Sequence, residues 1–241
     1  MTSVWLLLVW QFHRFKRFLP MLIVIQVALA FGMVYGLAFL IPNIDARTAL
    51  YLATGAPTIT LMVMGLTMVP QEVSQGRLTG RFDYLSSLPI PRLATLASDV
   101  IFWLVAQLPG TALALIVASL RFDFPLRIGW VLVPTVLLVA FTAACVGYAL
   151  AMVLAPQVAQ HLTNFISIGI LLFSPVNFPM ERLPGTLQAI HKVLPVTYMG
   201  DLMRHGLTGT DVDRVGMSFA IVAAWCAAGL FASYRVATKR R

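Results

Sequence analysis

Six stretches of this sequence run for about twenty residues or more with almost no charge, and they restrict its fold more than any other feature. They read as Phe18–Ile41, Leu50–Val69, Leu93–Leu120, Ile128–Ala155, Leu162–Met180 and Val215–Tyr234. Crossing a hydrocarbon layer of about 30 Å takes about 20 apolar residues in a helix. The runs are continuously apolar and do not alternate, so they suit helices and not the strands of a barrel. Only 11% of the 241 residues are charged, against about 25% in a soluble domain whose surface meets water. The expectation is a single all-α integral membrane domain, residues 1–241, with six transmembrane helices.

The net charge of +8 could suggest nucleic acid, but the basic residues are scattered between apolar runs and form no module. The preference of Lys and Arg for the cytoplasmic side explains them better. With the N-terminus inside, ten of the seventeen fall in inner segments: Arg14, Lys16, Arg17, Arg77, Arg81, Arg92, Arg235, Lys239, Arg240 and Arg241. Six of the nine acids then lie outside. Both basic ends are expected in the cytoplasm, with the chain in the cytoplasmic (plasma) membrane. Residues 1–18 do not read as a signal peptide, because their apolar part precedes the charges. Trp5, Leu8, Phe12, Phe15 and Leu19 recur at helical steps beside His13, Arg14, Lys16 and Arg17. That pattern predicts an amphipathic helix in the inner membrane interface, its aromatic side down, although a plain basic extension of the first span would read similarly.

Several chemistries are missing. There is no GxxxxGK[ST] phosphate loop, no GxSxG nucleophile and no paired-cysteine redox motif. Cys145 and Cys226 lie within apolar runs and read as small packing residues. His13, His161, His191 and His205 form no ligand pattern, so no metal and no catalytic residue is assigned. Asp99 is the one carboxylate well inside an apolar run; it reads as an interfacial residue orienting its helix, with Arg92 near it.

Two segments between the runs carry more information. The inner loop, residues 71–92, combines charges, a glycine turn and an apolar stripe at helical spacing (Phe82, Leu85, Leu88) closed by Pro89. A short amphipathic helix of this kind can dock into a groove on a cytoplasmic partner; an ordinary solvated loop is the alternative. The outer segment, residues 174–205, is broken repeatedly by proline while apolar residues persist between the breaks. It predicts a re-entrant helical hairpin between spans five and six, because broken backbone at membrane depth survives only where protein or a cavity surrounds it.

Both segments resemble those of the permease subunit of type-2 ATP-binding-cassette (ABC) transporters, and the likeness covers essentially the whole chain. In the inner loop it rests on Glu72, Gly76, Leu85, Ser87 and Pro89. In the outer segment it rests on Ser174, Pro175, Phe178, Pro179, Leu183, Pro184, Pro195, Tyr198 and Arg204. Gln71, Val73 and Gln75 stand where that family commonly has charges. The resemblance implies that the inner loop, with Arg81 and Asp83, and a second turn at 155–161 with Gln157 and His161 form the coupling surface for a separate nucleotide-binding ATPase. Two copies of that ATPase would hold ATP and Mg; this chain would bind no cofactor. A second permease, identical or paralogous, would complete the pathway, and the proline-rich segment would roof and gate the exit.

Phe31, Tyr35, Met62 and Met64 could line a lipophilic route, since aromatic and Met side chains adapt to varied partners, or could simply pack helices. The function expected is ATP-driven export of a lipophilic or amphiphilic compound, with drug or antibiotic efflux first and polysaccharide or lipid export second. A lipid-modifying enzyme inside the membrane needs clustered carboxylates or a histidine, and a secondary carrier usually shows an internal repeat. Neither feature is evident.

Overall fold

The computed structural model describes residues 2–40, 45–122, 130–209 and 215–238. Among these residues the structure is helical, with no strand. Helix α1 (Thr2–Phe15) precedes α2 (Leu19–Phe31), which runs through a π-helical turn (Gly32–Gly36) into α3 (Leu37–Leu40). Helix α4 (Ala46–Val63) continues through a second π-helical turn (Met64–Met68) into α5 (Val69–Leu78). The short α6 (Arg81–Ser87) then leads to α7 (Arg92–Phe122), α8 (Leu132–Val153) and α9 (Pro156–Phe173). Two short helices, α10 (Gly185–Val193) and α11 (Pro195–Thr208), precede α12 (Val215–Thr238).

Among the described residues, five helical stretches are long and apolar enough to cross a membrane: Leu19–Gly36, Ala46–Leu78, Leu93–Phe122, Leu132–Val153 and Val215–Val236. The run expected at Leu162–Met180 differs. Its helix, α9, begins earlier and stops at Phe173, and residues 174–180 leave it. The first turns of α9 carry Gln157, Gln160, His161 and Asn164, which keep its mean hydropathy below that of the others. The inner loop expected from residue 71 also differs, because α5 carries the helix on to Leu78. The chain turns at Gly80, whose φ of 73° is left-handed and suits a residue without Cβ, and the amphipathic helix expected after it is α6.

The centre of the molecule is α4. Every residue from Leu52 to Met62 is buried, as befits a helix that is apolar on all sides. Its threonines are buried at little cost, because the hydroxyls of Thr54, Thr58 and Thr60 donate to carbonyls four residues back (Leu50, Thr54 and Ala56) at 2.7–2.8 Å. The π-turn has a local cause at its far end. Pro70 has no N–H for the carbonyl of Leu66 and its ring crowds that carbonyl. A wider turn immediately before it accommodates both.

Small residues set the closest helix approaches, as is usual where lipid removes the ordinary hydrophobic drive. A Cβ on Gly65 would lie 2.5 Å from the Cβ of Ala143, and one on Gly147 would lie 2.3 Å from the Gly65 carbonyl oxygen. The second π-helical turn and α8 therefore touch backbone to backbone. Gly110 of α7 instead leaves space for a side chain of α2, the buried Gln26, whose Nε2 donates to the Ala106 carbonyl at 3.3 Å.

Candidate functional site

The two ends of the 46–78 helix gather the polar residues that the sequence singled out. At the α5 end, Glu72 accepts from Arg14 of α1 and, at 3.2 Å, from Arg81 at the start of α6. Arg81 also lies 3.5 Å from the Asp99 carboxylate on α7, and Gln11 of α1 donates to the same carboxylate at 2.5 Å. All of these groups are buried or largely so. Burial, with Arg81 beside it, lowers the Arg14 guanidinium to about 10. It stays protonated at neutral pH, and its face lies 4.3 Å over the ring of Phe15.

This network corrects one expectation and adds to another. Arg14 turns inward to Glu72 and is not part of a basic face held toward headgroups; of the expected stripe Trp5 and Phe12 are exposed, whereas Leu8, Phe15 and Leu19 pack inward. Asp99 is met by Arg81 and Gln11; the side chain of Arg92 lies outside the described residues. The sequence signal for the Arg81–Asp99 pair was weak, because eighteen positions and a helix–turn–helix separate the two.

The apolar stripe of α6 faces the chain itself. Leu85 is buried against Leu7 and Ala94, with Val4, Leu88 and Ile90 packed around them. Pro89 follows α6 exposed, and Gly76 is buried inside α5. The side chains of Phe82 and Asp83 lie outside the described residues. The open face of α6 presents Tyr84, 64% exposed, which the sequence reading did not single out.

The two expected coupling segments come together. Gln71 of α5 donates to Asn164 of α9 at 2.9 Å. Glu72 and Gln75 share a cleft of about 440 Å³ with Gln160 and His161, closed on its other side by Phe15, Phe18 and Trp103. Gln157 is exposed one turn before His161. Arg77 donates to the carbonyls of Ala151 and Leu154 at 2.5 and 2.6 Å. It thereby caps the end of α8, where orphan carbonyls attract a cation.

At the α4 end the chain after α9 folds back as a broken segment. The Ser174 hydroxyl accepts from the Val176 N–H at 3.3 Å. Pro175, Pro179 and Leu183 are buried and Phe178 is half-buried. Pro184 caps α10, and Pro195 opens α11, where a missing N–H costs nothing. The Tyr198 hydroxyl donates to the Lys192 carbonyl at 2.7 Å, bracing α11 against α10. Arg204 is buried beneath this segment. Asp45 caps α4, and hydrogen bonds with Thr48 hold its carboxyl below the usual range.

The four pathway candidates do not share one surface. Phe31 and Tyr35 stack at 4.3 Å on an exposed face, whereas Met62 and Met64 are buried among other side chains of this chain.

No curated protein matches the sequence. Residues 2–208 match the family described as ABC-2 type transporter. That span takes in α1, α6 and the broken segment through α11, so it includes both ends of the 46–78 helix. With so much of the helical membrane chain matched, the protein belongs to the ABC-2 type transporter family, as a membrane-spanning transport subunit that works with an ATP-binding subunit.

Proposed function

We propose that this chain is the permease of an ATP-driven exporter of lipophilic or amphiphilic compounds, drugs and antibiotics foremost. The observation that carries the reading is the meeting of two segments far apart in sequence. Helix α5, ahead of its turn into α6, and the start of α9 lie at one end of the bundle and share one cleft. A docked ATPase would press on both at once. In this reading that end faces the cytoplasm, and residues 174–205 roof the pathway on the outside. Helix α9 serves as the fifth of six spans in the cytoplasmic membrane, both termini are inside, and the full transporter holds two ATPases and a second permease. The scarcity of charge in the long helices favours apolar cargo over highly charged cargo. Export of a lipid-linked glycan is the second reading.

The test is reconstitution of the chain with its ATP-binding partner in vesicles, measuring ATP-dependent accumulation of a fluorescent amphiphile. Tyr84→Ala, which removes the exposed aromatic of α6, is expected to lower both co-purification of the ATPase and uptake by about tenfold, the scale of an aromatic hot spot. Transport by the chain alone, without nucleotide, would sink the proposal.

A further inference from the structure

Arg204 is the most heavily engaged charge at the α4 end, and it is only 5% exposed. Its Nη1 donates to Asp201 at 2.8 Å and its Nη2 to the Val176 carbonyl at 3.2 Å. The face of the guanidinium lies 3.8 Å from the centre of the Tyr51 ring on α4. A planar fork that donates at its edge while stacking on its face suits arginine and not lysine. Three parts of the chain thus meet on one side chain: the first turns of α4, the non-helical linker after α9, and α11.

The linker is seated tightly where they meet. A Cβ on Gly55 would lie 2.4 Å from Asn177 Oδ1 and 2.9 Å from the Val176 oxygen, and a Cβ on Gly200 would lie 3.0 Å from Val176 Cγ2. Val176 and Asn177 are therefore held between a glycine of α4 and a glycine of α11. The Val176 carbonyl belongs to no helix and is buried, so it requires a donor, and Arg204 supplies it. The next turn of α4 and everything beyond it run unbroken to Glu72. Twenty-one residues separate Tyr51 from Glu72, roughly 31 Å at 1.5 Å per residue.

We infer that Arg204 is a positioning residue that locks the linker and α11 to the first turns of α4, so that the broken segment moves with the 46–78 helix as one body. The inference rests on the permease reading for its consequence: force applied near Glu72 reaches the segment at the opposite end only while this lock holds.

The lock is tested on the chain alone in lipid nanodiscs, with spin labels on Ala46→Cys and Thr186→Cys, both exposed positions. The parent is expected to give one narrow distance. Arg204→Gln and Tyr51→Leu are expected to broaden it or add a second population, and Tyr51→Phe, which keeps the ring face, to restore the narrow one. The consequence is tested in the complex with its ATPase. Arg204→Gln and Tyr51→Leu should lower transport per ATP hydrolysed by about tenfold, a typical coupling factor, while hydrolysis itself holds. Should Arg204→Gln not fold, the Tyr51 pair carries both measurements. An unchanged, narrow distance in Tyr51→Leu overturns the lock, and a broadened distance with unchanged transport per ATP overturns its role. If the parent complex moves no cargo, the permease reading fails, while the nanodisc distances still judge the lock.

Discussion

Gly65 and Gly147 show how much a single hydrogen in place of a methyl group decides here. Each faces backbone or Cβ atoms of the opposite element at distances no Cβ can occupy, so alanine at either position must push the second π-helical turn and α8 apart. Gly65→Ala or Gly147→Ala is expected to destabilise the fold by about 1–3 kcal/mol, the usual cost of overpacking. Gly169→Ala, with nothing within 4 Å of its added Cβ, should be neutral or slightly stabilising. Thermal unfolding in detergent checks the set, and an equal effect at all three would refute the close-contact account. The sequence showed that these glycines lie in apolar runs. It did not show which ones touch a neighbour, because close approach depends on how helices pair.

Among the elements, the tie between α1, α6 and α7 depends on Glu72. The carboxylate neutralises Arg14 and Arg81 together, with Asp99 behind them. Removing it leaves two guanidinium groups in a largely buried place. Glu72→Ala is expected to weaken the docking of α1 by roughly 1–3 kcal/mol, between the values for exposed and fully buried pairs. Hydrogen exchange of amides 2–15 should quicken accordingly, while Lys16→Ala, an exposed neighbour, should leave it unchanged. Unchanged exchange in Glu72→Ala would show that the other contacts of α1, such as Leu7 on Leu85 and Gln11 on Asp99, hold the helix without it. The amphipathic character of α1 and α6 was legible in the sequence, and so was the break after α6 at Pro89. Their mutual packing was not. An apolar stripe states that something covers it, and Leu85 is covered by α1 and α7 rather than by another protein.

For the whole molecule, the number of crossings fixes the relation between the two termini. Six crossings put them on one side, five on opposite sides, and α9 makes the difference because only its later turns are strongly apolar. With Cys145 and Cys226 buried, a cysteine introduced at Ser3 or at Arg235 can be read separately with a membrane-impermeant maleimide. Six crossings predict that both are shielded in intact cells and both react in inverted vesicles. Labelling of one from each side would assign five crossings and remove the proposed cytoplasmic position of one terminus.

What the sequence determined by itself was the solvent of this protein and the material of its fold. Long uncharged runs belong in lipid as helices because their backbone polar groups have no other partners there. Proline and glycine punctuation marked the broken segment and the turn at Gly80 for equally local reasons. The tertiary structure decided which charges meet. Glu72, Arg14, Arg81 and Asp99 come from four helices, and Arg204, Tyr51 and Val176 from three separate parts of the chain. A local pattern encodes how each helix ends, but not which other helix lies beside that end. That choice is made by the packing of faces, through contacts as specific as a missing Cβ at Gly55 or Gly65.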